Sequence, residues 1–314
     1  MNRVFAPGDR VQLVDPKGRR HLVVLQSGQR YHTHRGIVDH DALLGLPEGS
    51  VITSTKGTPY VAFRASLAEY VLAMPRGAAV VYPKDAAMIV GYADIFPGAV
   101  VLEAGAGSGA LTCWLLRAVG ERGAVVSVER RADFAAVARR NVVRFFGSPP
   151  PNWHLVVGDV TDVVAPGPLR RVDRVVLDML DPWTAVDAVA RLLAPGGIVC
   201  CYVATTPQLG RTVESLRAHG AFAEPEAFET LLRTWHVEGL AIRPDHRMIG
   251  HTGFLVTARR MADGVPAPPR RRRPAPGAWS GDEAAGLLAG VRPGDLDPVA
   301  GTDDVDAGPR TPAG

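Results

Sequence analysis

Cysteine is nearly missing from this chain. Cys113, Cys200 and Cys201 are the only three among 314 residues, two of them adjacent, and none has metal-ligand spacing. A cysteine-held metal site therefore has no support, and a reducing compartment, the cytoplasm, is the expectation. Long hydrophobic runs are missing too. No stretch reaches the ~18 apolar residues of a membrane span, and Met1–Asp9 lacks a signal-peptide core. The glycine-rich turn at 105–109 is not followed by Lys-Ser or Lys-Thr, which excludes a nucleotide-phosphate loop. No internal repeat appears.

Net charge is small, +3, but it is unevenly spread. Residues 1–80 carry ten Lys and Arg against six Asp and Glu, plus four histidines; residues 81–262 are nearly balanced, and residues 263–314 are slightly acidic. The N-terminal quarter is thus the expected face for a polyanion, with Arg19, Arg20 and Arg35 as candidates. A solvated basic surface gives the same count.

Three regions separate by pattern. Residues 1–75 read as short strands broken by turns, with Asp15-Pro-Lys-Gly18 as a hairpin signal, so a small β domain is expected. From about 76 to 262 apolar runs at 99–104, 124–128, 153–157, 172–178 and 197–203 alternate with helical stretches at 109–119, 131–146, 184–194 and 207–219. A further helix is expected at 83–93, with Pro83 in its first turn. That alternation predicts an α/β fold with a parallel, Rossmann-like sheet. Segments 228–242 and 252–259 run strand to strand, which predicts an antiparallel final pair. Residues 263–314 hold nine Pro and nine Gly around the run Arg270–Arg273. Such a tail buries too little to offset its ordering entropy and is expected to be disordered.

The chemistry concentrates after the first strand of the α/β region. Glu103-Ala-Gly105-Ala-Gly107-Ser108-Gly109-Ala110-Leu111 follows an apolar run and opens a helix. Glycines let the backbone turn tightly and approach a ligand, while the helix start offers free N–H groups. Dinucleotide folds have a glycine turn as well, but here the spacing is G-x-G-x-G and Glu103 precedes the first glycine by two. This pattern reads as the binding turn for S-adenosyl-L-methionine. Glu129 closes the next strand, where a carboxylate can accept both ribose hydroxyls of an adenosine. Asp159 follows the third strand and can accept from an adenine amino group. Each acid alone is compatible with a solvated strand end; three at successive strand ends are not easily so read.

Beyond the fourth strand lies Leu177-Asp178-Met-Leu-Asp181-Pro-Trp183. Ligands of such sheets bind outside the carboxyl ends of the strands, which puts Asp178 beside the transferable methyl. Its carboxylate can orient an adenine through the exocyclic N–H and favour the cationic product. For Asp181 a helix N-cap competes with any functional role.

Tyr82-Pro-Lys-Asp85, Glu103–Leu111, Leu177–Leu180, Tyr202-Val-Ala-Thr205 and Gly250-His-Thr252 together resemble the tRNA (adenine-58-N1)-methyltransferase family in its bacterial and actinobacterial form. Thr33-His-Arg-Gly36 and His40-Asp41 match that family's small β domain, so the resemblance runs from about residue 5 to 260. It implies a class I methyltransferase sheet, a homotetramer, and methylation of N1 of an adenine in the T-loop of tRNA. Carried over by motif position, Ser108 to Leu111, Glu129 and Asp159 hold the cofactor, Asp178 faces the adenine and Tyr82 lines its pocket. Asp181 departs from the pattern, where a small residue is expected.

His32, His34 and His40 lack Cys or Asp partners at ligand spacing, so no metal is expected and they read as polar surface. The cysteines read as core. His246 and His251 fit a substrate mouth and an ordinary loop equally. Two rival functions remain: a methyltransferase of another class, such as the protein isoaspartate type, and a tRNA-binding subunit without catalysis. The first lacks the Leu-Asp-Met-Leu segment and the upstream β domain; the second should have a degraded glycine turn.

Overall fold

The computed structural model describes residues 4–162 and 171–268. Its N-terminal part is a four-stranded antiparallel sheet of β1 (Arg10–Val14), β2 (Arg20–Val24), β5 (Val51–Thr53) and β6 (Pro59–Arg64), with a separate hairpin of β3 (Arg30–Thr33) and β4 (Gly36–Asp39). The sheet order is β2-β1-β6-β5. Asp15 makes the turn between β1 and β2: its carboxylate accepts from the main-chain N–H groups of Lys17 and Arg19. Phe5, Leu13, Leu25, Leu43 and Tyr60 fill a small core of their own.

Residues 67–73 are not part of this module. Ser66 and Glu69 form a capping box that starts helix α1 (Leu67–Ala73), and its Leu67, Tyr70 and Val71 pack into the next core. The strand reading of 1–75 thus fails in its last turn, because a seven-residue helix is too short for its apolar period to show.

The second part alternates helix and strand: α2 (Pro83–Tyr92), β7 (Val100–Ala104), α3 (Ala110–Val119), β8 (Ala124–Glu129), α4 (Ala132–Phe146), β9 (Trp153–Val157), β10 (Val172–Asp178), α5 (Val186–Leu192), β11 (Leu193–Val203), α6 (Thr206–His219). It ends in β12 (Glu226–Glu229), β13 (Trp235–Glu238), β14 (Ala241–Pro244) and β15 (Phe254–Arg259). Seven strands pair in the order β12-β15-β11-β10-β7-β8-β9. Strands β7 to β11 run parallel, and β15 is antiparallel to both its neighbours. The α/β, Rossmann-like expectation and the antiparallel final pair both hold.

One apolar layer lies under α1, α2 and α3, the other under α5 and α6. Burial on both faces explains why β7 (VVLEA) and the centre of β10, residues 175–177, read as apolar runs without alternation. The segment 228–242, read as one strand, is broken. Gly239, at φ +55°, lets β13 fold back on β14 as a separate two-stranded hairpin. Its Trp235, Val237, Leu240 and Ile242 are all exposed.

Two further expectations need adjusting. Residues 263–268 are held to the domain: Ala267 N–H donates to Gly220 O, and Asp263 pairs with Arg171 and Arg260. The remainder of the Pro/Gly-rich tail, from 269, lies outside the described residues. Two of the three arginines proposed for a polyanion have partners within the chain, Arg19 with Asp15 and Arg20 with Glu69, and Arg30 and Arg64 are paired as well, with Asp39 and with Asp9 and Glu48.

Candidate active site

Parallel pairing in register brings Ala104, Glu129, Val157, Asp178 and Val203 to the same edge of the sheet. The glycine turn leaves β7 there. Gly105, at φ +89°, passes so close to β10 that a Cβ would lie 1.8 Å from the carbonyl oxygen of Asp178. Gly109, at φ +77°, is the N-cap of α3, and a Cβ on it would press on Ala138 and Val142 of α4 at about 3 Å. Ala110 and Leu111 begin α3 with their side chains in the core, leaving only main-chain groups toward the edge.

The acids around this turn differ in how they are held. Glu129 is buried and takes the N–H of Gly107 (2.9 Å) on one oxygen and that of Arg131 (3.0 Å) on the other. Glu103 is fully buried; one of its oxygens accepts from the hydroxyls of Thr112 and Ser127, while its Oε1 is buried with no partner. Burial pushes its carboxyl up to about 7 despite those two donors. Asp159 accepts from the N–H and hydroxyl of Thr161, which hold it below the usual carboxylate range, and Arg130 lies 3.5 Å away. Ser108 spends its hydroxyl elsewhere, accepting from the N–H groups of Gly77 and Ala78 and donating to Ala78 O.

Asp178 ends β10 opposite Tyr202 of β11. Among the described residues no donor reaches its carboxylate. Withdrawal from water, and then the negative charges of Glu103 and Glu129, push it up to about 7. Asp181 does not cap the helical turn that follows: its carboxylate makes no capping bond, and its Oδ1 is buried without a partner. Only its main-chain carbonyl is used, by the N–H and hydroxyl of Thr184.

The motif around Tyr82 meets the motif around Thr252. Tyr82 is the half-buried N-cap residue of α2. Next to it, Lys84 donates to Asp85 Oδ1 (2.6 Å), to Thr252 Oγ1 (2.6 Å) and to the carbonyl of Thr230 (2.7 Å). The Thr252 hydroxyl donates in turn to Asp85 Oδ2, and Tyr202 donates to Thr252 O. Asp85 is fully buried and the Lys84 side chain nearly so. Lys84, Asp85 and Thr252 lie in two of the motifs that carry the family resemblance, but sequence reasoning assigned them no role of their own, because nothing local shows that the two motifs meet.

His251 sits beside this network, its Nε2 2.8 Å from Ala204 O and its Nδ1 3.1 Å from Glu229. Those two acceptors raise its pKa. His246 is exposed. His40, read as surface, is instead buried and accepts the N–H of Gln26. The three cysteines are buried, and burial pushes the Cys200 thiol up to about 12, which removes it as a nucleophile.

Comparison with known proteins agrees with this layout. The TrmI-like N-terminal family model matches residues 4–52, and the family model described as tRNA methyltransferase complex GCD14 subunit matches residues 66–242. The second match begins at Ser66, the capping residue of α1. The tRNA (adenine(58)-N(1))-methyltransferase TrmI of Thermus thermophilus is 38% identical over 248 residues, 79% of this chain and 95% of that protein. Among solved structures, a SAM-dependent O-methyltransferase from Thermotoga maritima superposes with a TM-score of 0.77 at 30% identity, covering 86% of this chain and 97% of that one. The tRNA (m1A58) methyltransferase TrmI from Aquifex aeolicus does so at 0.72 and 26%, covering 83% and 100%. The chain belongs to the tRNA (adenine-58-N1)-methyltransferase family.

Proposed function

We propose that this protein transfers a methyl group from S-adenosyl-L-methionine to N1 of adenine 58 in tRNA. The observation that carries the reading is the meeting, at one sheet edge, of a glycine cradle with its flanking acids and of Asp178, whose carboxylate has no donor. The residues fit a cationic adenosine cofactor on one count: among the described residues Glu103 Oε1 is a buried acceptor still lacking a donor. Glu103, Gly105, Gly107, Gly109, Ala110, Leu111, Glu129 and Asp159 are assigned to hold it, with Ser108 contributing main chain only. The bound cofactor supplies an electrophilic methyl.

The chain's own groups then do the rest. Asp178 accepts the exocyclic N–H of the adenine, which turns N1 and its lone pair toward the methyl. As the ring becomes cationic the same carboxylate offsets the new charge, an interaction stronger in the transition state than before it. A nearby positive charge also favours ionised Asp178, so the acceptor form prevails when the site is loaded. Tyr82 forms a wall of the base pocket, and the Lys84–Asp85–Thr252 network fixes the start of α2 that carries it. The intact glycine turn and acids argue against a subunit without catalysis; the N-terminal sheet argues against the isoaspartate type.

Assembly as a homotetramer is part of the proposal. The β13–β14 hairpin exposes Trp235, Val237, Leu240 and Ile242, an apolar surface that a second copy would cover. Light scattering should then give four chains. A cytoplasmic location is proposed with it; no helix among the described residues is long and apolar enough to cross a membrane. The direct test uses labelled cofactor and a tRNA transcript. Label should appear at adenine 58 and vanish when that base is changed to guanine; label at another position, or none, overturns the reading.

A further inference from the structure

Four arginines line one open cleft of about 770 Å³ between the N-terminal sheet and α4: Arg10, Arg139, Arg140 and Arg144. No acidic residue lines it. Arg139 and Arg140 also line a second, adjoining cleft that reaches Val157 at the end of β9. Among the described residues neither Arg139, Arg140 nor Arg144 forms an ion pair, whereas the arginines Arg19, Arg20, Arg30 and Arg64 of the N-terminal sheet and hairpin all do. Arg10 is held in place: its guanidinium lies against the rings of Tyr70 and Phe145 and donates to the carbonyl of Arg144. The cleft is therefore a preset cluster of cations without counter-charges.

We infer that this cleft is a docking surface for the phosphate backbone of the RNA substrate. The inference rests on the tRNA reading above and deepens it. At 1.5 Å per residue the α4 arginines spread over about 7 Å of helix, close to two nucleotide steps of about 3.4 Å along a strand. The same stretch of α4 packs on the glycine turn, Ala138 and Val142 lying against Gly109 and Asn141 donating to Ser108 O, so an RNA held by these arginines is held by the helix that supports the cofactor turn. A second copy of this chain is the poorer occupant, since each copy carries a net +3 and offers repulsion. Guanidinium groups suit phosphate because they present paired donors to its oxygens.

The test measures tRNA binding of the full-length protein as a function of salt. Arg139→Ala/Arg140→Ala changes net charge by the same amount as Arg191→Glu, a control on α5 at the other face of the sheet. The α4 variant should lose about tenfold or more in affinity near physiological salt and flatten the salt slope by about one to two units. The control should keep the wild-type slope, and cofactor binding should be unchanged in both. Equal slopes in the two variants overturn the cleft assignment, as does a change in oligomeric state of the α4 variant, which would make the cleft a contact between copies. The function reading is scored separately, on wild type: if wild type binds RNA through these arginines but leaves adenine 58 unmodified, the cleft stands and the reaction falls.

Discussion

The two ends of the sheet's carboxyl edge are built differently. At the β7–β8 end the turn itself is tied down, since Glu129 holds two main-chain N–H groups and Ser108 binds the glycine turn to residues 77–78, and among the described residues only Glu103 Oε1 is left there as a buried acceptor without a donor. At the β10 end Asp178 has no donor and Asp181 Oδ1 is buried without a partner. Unpaired buried polar groups cost stability, and proteins keep them where a ligand completes them. One end is made to hold, the other to act on what arrives.

The largest effect should come from the point where the two ends touch. Gly105→Ala drives a Cβ to 1.8 Å from Asp178 O and forces a left-handed backbone on a residue that resists it. Loss of cofactor binding and of at least about 3 kcal/mol of stability is expected, beyond the ordinary cost of a core overlap. A variant with wild-type melting and cofactor affinity would mean that the two ends are not in contact. Next comes Lys84→Met. It leaves Asp85 charged and enclosed, at a cost of about 3–5 kcal/mol; calorimetric unfolding checks it, and Lys84→Met/Asp85→Leu should recover much of the loss.

Asp178→Asn separates acting from holding. It keeps the shape, removes the charge, and should slow methyl transfer by about 10²–10³, while cofactor affinity falls much less, by the electrostatic share of that one carboxylate. Stability should not fall, because a carboxylate without a donor is being removed. Normal turnover would reduce Asp178 to a packing residue; lost cofactor binding would move it to the other end of the edge.

Much of the frame was legible because it rests on local signals. Apolar runs with burial on both faces give β7, β8 and β10, and the G-x-G-x-G spacing with Glu103 gives the turn, since only glycine tolerates the φ of +89° and +77° found there. What escaped depends on distant partners. Lys84 and Thr252 are 168 positions apart and meet only when β15 closes the sheet. A charge count does not say that Arg19 is the arginine that Asp15 holds. His40 looked like surface because no local pattern announces that Gln26 will turn its N–H toward the ring. Charge and burial are properties of neighbourhoods, and a sequence lists only one of them.

The last expected effect concerns protons, and it tests the unsatisfied acids directly. Glu103 and Asp178 both titrate near 7, well above the ordinary carboxylate range, because the charged form is poorly solvated there. Between about pH 4 and 7 the folded protein therefore keeps protons that the unfolded chain has released. Stability from these groups is complete at the acid end of that window and is lost as pH rises through it, by up to about 1.4 kcal/mol per pH unit for each group. A cationic cofactor reverses the bias by favouring both carboxylates. Binding should then release protons near pH 6.5, and affinity should climb from pH 6 to pH 8 before levelling. Titration calorimetry in buffers of different ionisation enthalpy reads the release. Asp178→Asn should abolish its share and leave that of Glu103. Binding with no proton exchange at pH 6.5 would mean that both acids are already ionised in the free protein, and the contrast between a holding end and an acting end would have to rest on Asp178 geometry alone.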